Sequence, residues 1–341
     1  MKPQPIANPP NPWATTSVQY LEEVPLAKVE VYEDHTREVV AHNDSPDLGF
    51  RFSVNPYRGC NHACAYCFAR PTHEYLSFGA GTDFDTKIMA KLNAPQLLRT
   101  TFERPSWKGD RLMFSGVTDC YQPLEASLKL TRGCLEVCAE YRNPVTMITK
   151  GVLVERDLDL LEQLNRDASV SVAISVPIWD PKLARAIEPG VPTPQRRIEA
   201  IRRLAAAGIP VGVMVAPIIP GVSDEGMALV LEAAKDAGAQ FAGYVLLRLP
   251  SSVKVVFEER IRAALPLRAD KILHRVRETR GGKLYDSRFG VRGVGEGPYA
   301  EMIARTFEVT VKRLGFVERD WSEPPTPFRR PPKIIPQLSL F

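Results

Sequence analysis

Six apolar or β-branched runs, each followed by a stretch of helical period, dominate the middle of this 341-residue chain. The runs are FRFSV (Phe50 to Val54), RLMFSG (Arg111 to Gly116), VTMITK (Val145 to Lys150), VSVAISV (Val170 to Val176), VGVMVAPI (Val211 to Ile218) and GYVLLRL (Gly243 to Leu249). The helical stretches are Asn93 to Glu103, Leu124 to Tyr141, Glu155 to Arg166, Thr193 to Ala207, Glu225 to Ala237 and Ser252 to Leu265. Asn93 with Pro95 and Thr193 with Pro194 mark helix starts, and Gly208 and Gly238 mark stops. Strands this uniformly apolar are buried on both faces, and strands alternating with helices pair in parallel through right-handed crossovers. The fold class is therefore α/β, a doubly wound sheet or a barrel. A complete eight-stranded barrel would need two more units, and the chain beyond Arg268 reads as helical. In either geometry ligands gather at the C-terminal ends of the strands.

The opening MKPQPIANPPNPWATT lacks the apolar core of a secretory leader, and the longest apolar run, Gly208 to Val222, is broken by Pro210, Pro217 and Pro220. A cytoplasmic protein with no membrane partner is expected. In that reducing compartment the six cysteines are metal ligands, catalytic groups or buried small hydrophobes rather than disulfides. A formal charge of +4 does not argue for nucleic acid, but Arg248 to Arg313 holds fifteen Lys and Arg against eight Asp and Glu. That segment reads either as a phosphate-facing surface or as the solvated faces of two amphipathic helices. Both ends are proline-rich and read as extended arms. The expected organisation is an N-terminal extended arm (1–48), a βα domain (49–268), a helical C-terminal extension (269–320) and a proline-rich tail (321–341).

YRGCNHACAYCFAR, Tyr57 to Arg70, follows the first strand and sets Cys60, Cys64 and Cys67 within eight residues. Pro56 and Gly59 turn the chain so that the three thiols can converge, and convergent thiolates mean a metal. A cubane of four irons takes one thiolate per iron, so three cysteines leave one iron open. A single zinc ion is the competing reading, and it needs a fourth ligand from His62, His73 or Cys120.

The three-and-two spacing of CNHACAYC, with aromatic Tyr66 before the third cysteine, resembles the radical S-adenosylmethionine (SAM) superfamily. The resemblance implies a partial (βα)6 barrel, a [4Fe-4S] cluster on Cys60, Cys64 and Cys67, and SAM on the open iron. It further implies reductive cleavage of SAM to a 5′-deoxyadenosyl radical, with an electron from a donor such as flavodoxin or ferredoxin. Members hold SAM with polar residues at the strand ends, which here are Ser115, Gly116, Thr118 and Asp119 after the second strand, Lys150 after the third and Ser175 on the fourth, while Tyr66 would support the adenine.

Within the superfamily, YRGCNHACAYCFARPTHEY, SGVTDCYQPLE and EPGVPTPQRRIEAIRRLAAAGIPVGVMVAPIIPG are similar to the spore photoproduct lyase branch and its relatives of unassigned substrate. The resemblance spans roughly Asn55 to Leu249, with an echo in GEGPYAEMI. It implies a nucleic-acid substrate and a cysteine near the end of the second strand that returns a hydrogen atom. This chain has Ser115 to Val117 there, and its nearest thiol, Cys120, lies three residues further on. Such an offset redirects a side chain in extended backbone, so Cys120 stands as a displaced hydrogen donor, a residue of other chemistry or a small buried hydrophobe. Cys134 and Cys138, four apart on a helix, read as core. The alternative for the whole chain is a non-catalytic metal-containing nucleic-acid-binding protein.

Overall fold

A computed structural model describes residues 8–9, 11–13, 28–317 and 326–332. Its strands are β1 (Glu30–Glu33), β2 (Val40–His42), β3 (Phe52–Val54), β4 (Tyr57–Arg58), β5 (Lys87–Ala90), β6 (Leu112–Phe114), β7 (Val145–Thr149), β8 (Val170–Ser175), β9 (Val211–Ile218) and β10 (Phe241–Leu246). The α-helices are α1 (Thr82–Thr86), α2 (Ala94–Glu103), α3 (Glu125–Leu128), α4 (Leu130–Glu140), α5 (Leu158–Asp167), α6 (Pro181–Ile187), α7 (Pro194–Ala206), α8 (Met227–Asp236), α9 (Val253–Ala264), α10 (Ala269–Glu278) and α11 (Pro298–Leu314).

The large sheet runs β10-β9-β8-β7-β6-β3-β2. From β3 to β10 its six strands are parallel and in chain order, each pair joined through helix, as in a partial barrel. Register sets apolar residue against apolar residue, Leu112 beside Val145, Val145 beside Val170 and Val172 beside Val211, and all of these are buried. β10 finishes at Leu246, short of the expected Leu249, because a register shift between Tyr244 and Leu246 ends its regular pairing with β9.

Helix starts follow local chemistry. Thr193 caps α7 through the Arg196 N–H at 3.3 Å, and Asp180 caps α6 through the Leu183 N–H at 2.7 Å. The single helix expected from Leu124 to Tyr141 is two, split at Lys129 with φ 53°. Buried Glu125 drives the split, because its carboxylate accepts the Thr131 and Arg132 N–H groups at 3.0 and 3.2 Å and caps α4.

Two regions expected as arms join the body. Residues 30–33 form β1, parallel to β5 in a small second sheet, and residues 40–42 form β2, antiparallel to β3. Near the C-terminus, Phe328 lies 5.6 Å from the Phe102 ring and 6.1 Å from the Tyr141 ring. The other terminal prolines, apart from Pro9, Pro12, Pro327, Pro331 and Pro332, lie outside the described residues. Among the described residues no helix is long and apolar enough to cross a membrane.

Candidate active site

A cavity of about 330 Å³ opens at the C-terminal ends of the parallel strands. The ten residues expected to hold a cluster and SAM all line it: Cys60, Cys64, Tyr66, Cys67, Ser115, Gly116, Thr118, Asp119, Lys150 and Ser175. Another recess, about 390 Å³, lies beside residues 42–51 and Asp110, and none of these ten residues lines it.

The cysteine loop is held by its backbone. Gly59 has φ +77°, and a Cβ there would stand 2.8 Å from His73 Cε1 and 2.9 Å from the Phe84 carbonyl, so glycine is required before Cys60. The Cys60 N–H donates to the Phe84 carbonyl at 3.0 Å, and Gln122 receives the Asn61 N–H at 3.1 Å while donating to the Gly59 carbonyl at 3.2 Å. Arg70, fully buried, donates to the Cys64 carbonyl at 2.8 Å and pairs with Asp85 at 2.7 Å, and Arg260 reaches both Asp85 and the Ala63 carbonyl. From the other side the Ala65 N–H donates to the Ile187 carbonyl, and Gly190 packs so closely that a Cβ would fall 2.2 Å from the Asn61 carbonyl.

Burial pushes all three thiols up, Cys64 to about 12 and Cys60 well above the usual thiol range. Only a strong positive centre makes thiolates of groups so desolvated. The donor set fits a cluster that takes one thiolate per iron. A single zinc would need a fourth ligand, and of the three expected only His62 lines the cavity beside the cysteines. His73 Nε2 meets the Lys87 carbonyl at 2.8 Å, His62 Nδ1 lies 3.3 Å from Asp119, and Cys120 is in the core. Among the described residues no three His, Cys, Asp or Glu side chains surround one ion position.

The loop after β6 is shaped by Asn55, a residue the sequence did not single out, whose Oδ1 accepts the Val117 and Thr118 N–H groups at 2.9 and 3.2 Å. Gly116 lets this turn lie against Ser53, where a Cβ would stand 3.0 Å away. Asp119 accepts from the Thr149 hydroxyl at 2.5 Å and the Lys150 N–H at 2.8 Å, tying the β6 and β7 ends together. Burial alone would raise its carboxyl, but His62, the Lys150 N–H and the Thr149 hydroxyl outweigh that and hold it at about 2. The Thr118 hydroxyl is buried without a hydrogen-bond partner, and Lys150 Nζ stands 5.6 Å from the Tyr66 ring centroid with no ion-pair partner among the described residues.

Tyr66 is fixed through its hydroxyl, which donates to Glu188. Glu188 pairs with Arg197 at 2.8 Å, both side chains fully buried, and Arg197 also donates to the Ser175 carbonyl at 2.8 Å. One buried ion pair thus links the ring before Cys67 to the end of β8. Arg70, Glu188, Arg197 and Arg260 were not singled out from the sequence: Arg70 closes the cysteine stretch itself, and the other three act on it from distant positions.

Cys120 lies apart from these ten residues. It is 0% exposed, belongs to the main core cluster and is absent from the cavity lining, and its N–H donates to Ser115 Oγ at 2.8 Å. Of its three readings, the small buried hydrophobe is the one this burial supports. Cys134 and Cys138 are also 0% exposed, within the same core.

The basic C-terminal third is partly neutralised. Arg260, Arg262, Arg268, Arg275, Arg288, Arg292 and Arg313 each pair with a carboxylate. Buried Arg280 donates to the Leu247, Val291 and Arg292 carbonyls, which pins the glycine-rich loop beside β10 and brings Arg292 and Gly293 to the cavity.

A family model described as the radical SAM superfamily matches residues 54–234. An uncharacterized protein of Mycobacterium tuberculosis is 46% identical over 179 residues, which make up 52% of this chain and 53% of that protein. The matched part of the chain thus spans about half the length of this curated relative. An uncharacterized protein of Methanocaldococcus jannaschii is 29% identical over 198 residues, 58% of this chain and 71% of that protein. Among solved structures, spore photoproduct lyase complexed with dinucleoside spore photoproduct superposes with a TM-score of 0.58 at 18% identity, covering 83% of this chain and 77% of that one. That likeness is one of fold.

Proposed function

The chain belongs to the radical SAM superfamily, and from that premise we propose that it is an enzyme that cleaves SAM reductively and abstracts hydrogen from an external substrate held over the strand ends. The single observation that carries this reading is the convergence of all ten expected residues on one cavity. A [4Fe-4S] cluster held there by Cys60, Cys64 and Cys67 would supply the electron for reductive cleavage of SAM.

On this reading Cys60, Cys64 and Cys67 hold the cluster. Lys150 offers its unpaired ammonium to the SAM carboxylate, the unpartnered Thr118 hydroxyl and Ser115 face the amino group, and Ser175 faces the ribose. Tyr66, locked by Glu188, supports the adenine. Asp119 positions the β6 and β7 ends rather than touching SAM, since its oxygens are spent on Thr149, Lys150 and His62. Cys120 serves as packing. Residues 49–268 carry the chemistry, 269–320 cover it, and a flavodoxin or ferredoxin delivers the electron. A nucleic-acid substrate is the finer proposal, supported by Arg248 in the cavity lining.

Anaerobic reconstitution should give about four irons and four sulfides per chain, and SAM with a strong reductant should then give 5′-deoxyadenosine. Replacing the three loop cysteines with alanine should abolish both. Zinc uptake without iron, or a full cluster that leaves SAM intact, would overturn the proposal.

A further inference from the structure

Two side-chain cations face the cavity without a carboxylate partner among the described residues, Lys150 and Arg248, and SAM carries one carboxylate. The third, Arg292, is already paired with Asp47 at 2.5 Å. Lys150 follows β7 and Arg248 follows β10, three strands across the sheet, which gives each cation its own side of the cavity.

Among the described residues Arg197, Arg248 and Arg280 each have a buried Nε without a hydrogen-bond partner. Arg197 and Arg280 spend their terminal nitrogens on Glu188 and on backbone carbonyls, whereas Arg248 lines the cavity. Asp47, the carboxylate whose charge senses it, is occupied by Arg292 and by the Gly290 N–H at 2.8 Å. A desolvated guanidinium N–H left unmade costs free energy that an acceptor brought from outside recovers. The guanidinium lies 5.7 Å from the ring centroid of Phe68, which is 48% exposed and one residue beyond Cys67. An exposed ring beside an unpaired planar cation is an arrangement that receives a flat group bearing an anionic oxygen.

We propose that Arg248 is the anion-binding residue for the substrate, taking an oxyanion (phosphate or carboxylate) on a planar group that lies against Phe68. The inference rests on the proposed function in that it gives the Lys150 side of the cavity to SAM. Arg248 would then set substrate specificity and leave SAM binding alone.

Phenyl phosphate and phenylacetate, titrated by ligand-observed NMR against the reconstituted full chain with and without SAM, test it. At least one probe should bind the wild type saturably, and which one binds more tightly distinguishes phosphate from carboxylate. Arg248→Gln should weaken that probe by about tenfold or more. Arg248→Lys should weaken it less, because charge survives while the fork is lost. Phe68→Ala should weaken it several-fold, with SAM affinity unchanged in all three. If thermal melts show Arg248→Gln unfolded, Arg248→Lys and Phe68→Ala decide. Failure of both probes to bind the wild type, or binding indifferent to these substitutions, overturns the subsite. Failure of SAM to bind sinks the proposed function instead, while the titration without SAM still judges Arg248.

Discussion

A thiol three residues from where a reaction would need it can be close in sequence and still inert. Cys120 is fully buried and burial pushes its thiol well up, so little reactive thiolate is available. Iodoacetamide applied to the folded, reconstituted chain should leave Cys120, Cys134 and Cys138 unmodified, and all three should be alkylated after denaturation, as read by peptide mass spectrometry. Rapid native labelling of Cys120 would place it at the cavity after all. Cys120→Ala should cost about 1 kcal/mol of stability, comparable to deleting a buried methyl group, measured by chemical denaturation. Sequence spacing alone could not decide this, because it shows how far along the chain the thiol lies and says nothing of the turn that Asn55 imposes between Ser115 and Cys120.

At the scale of elements, the segment 326–332 acts as a strap across α2 and α4. Thr326 donates to the Gly109 carbonyl at 2.8 Å, and the Arg329 N–H donates to the Tyr141 carbonyl at 2.9 Å. Arg330 donates to the carbonyls of Phe102, Arg104 and Trp107. Phe328→Ala should lower stability by about 1 kcal/mol, roughly half the value of a fully buried phenylalanine, since the ring is half-buried. Gly109→Ala should act in the same direction, because a Cβ there would fall 2.2 Å from Phe328 Cβ and φ is +83°. Thermal melts of both variants check this, and unchanged midpoints would show the strap to be energetically idle. The six parallel strands were legible because each is an almost unbroken apolar run. β1, β2 and the strap were not, since their residues are mostly exposed and their partners lie far away in the chain, so composition reads them as arms. α6 was missed because seven residues are too few for a helical period to show.

Across the whole molecule, the cysteine loop and its cavity partners were readable because each sits at the end of a recognisable strand. The groups that hold the loop were not. Arg260 reaches Ala63 across 197 residues and Glu188 meets Tyr66 across 122, and no local pattern encodes such a meeting. The same pairing of distant charges settles how the basic segment behaves. Its surplus of Lys and Arg is counted along the chain, but a polyanion meets the folded surface, where seven of the fifteen cations already face carboxylates. Each phosphate contact contributes a slope of about −0.9 in log K against log salt, and the six exposed cations left without a carboxylate among the described residues, Lys254, Lys271, Arg277, Lys283, Arg305 and Lys312, are spread over α9, α10, a loop and α11, so that a duplex meets only some of them at once. Anisotropy of a labelled non-specific duplex should therefore show weak binding, with a slope no steeper than about −3. A slope near −6 would reveal a phosphate-tracking face and restore the nucleic-acid-binding reading. A shallow slope leaves substrate selection to the cavity, where Lys150 and Arg248 stand.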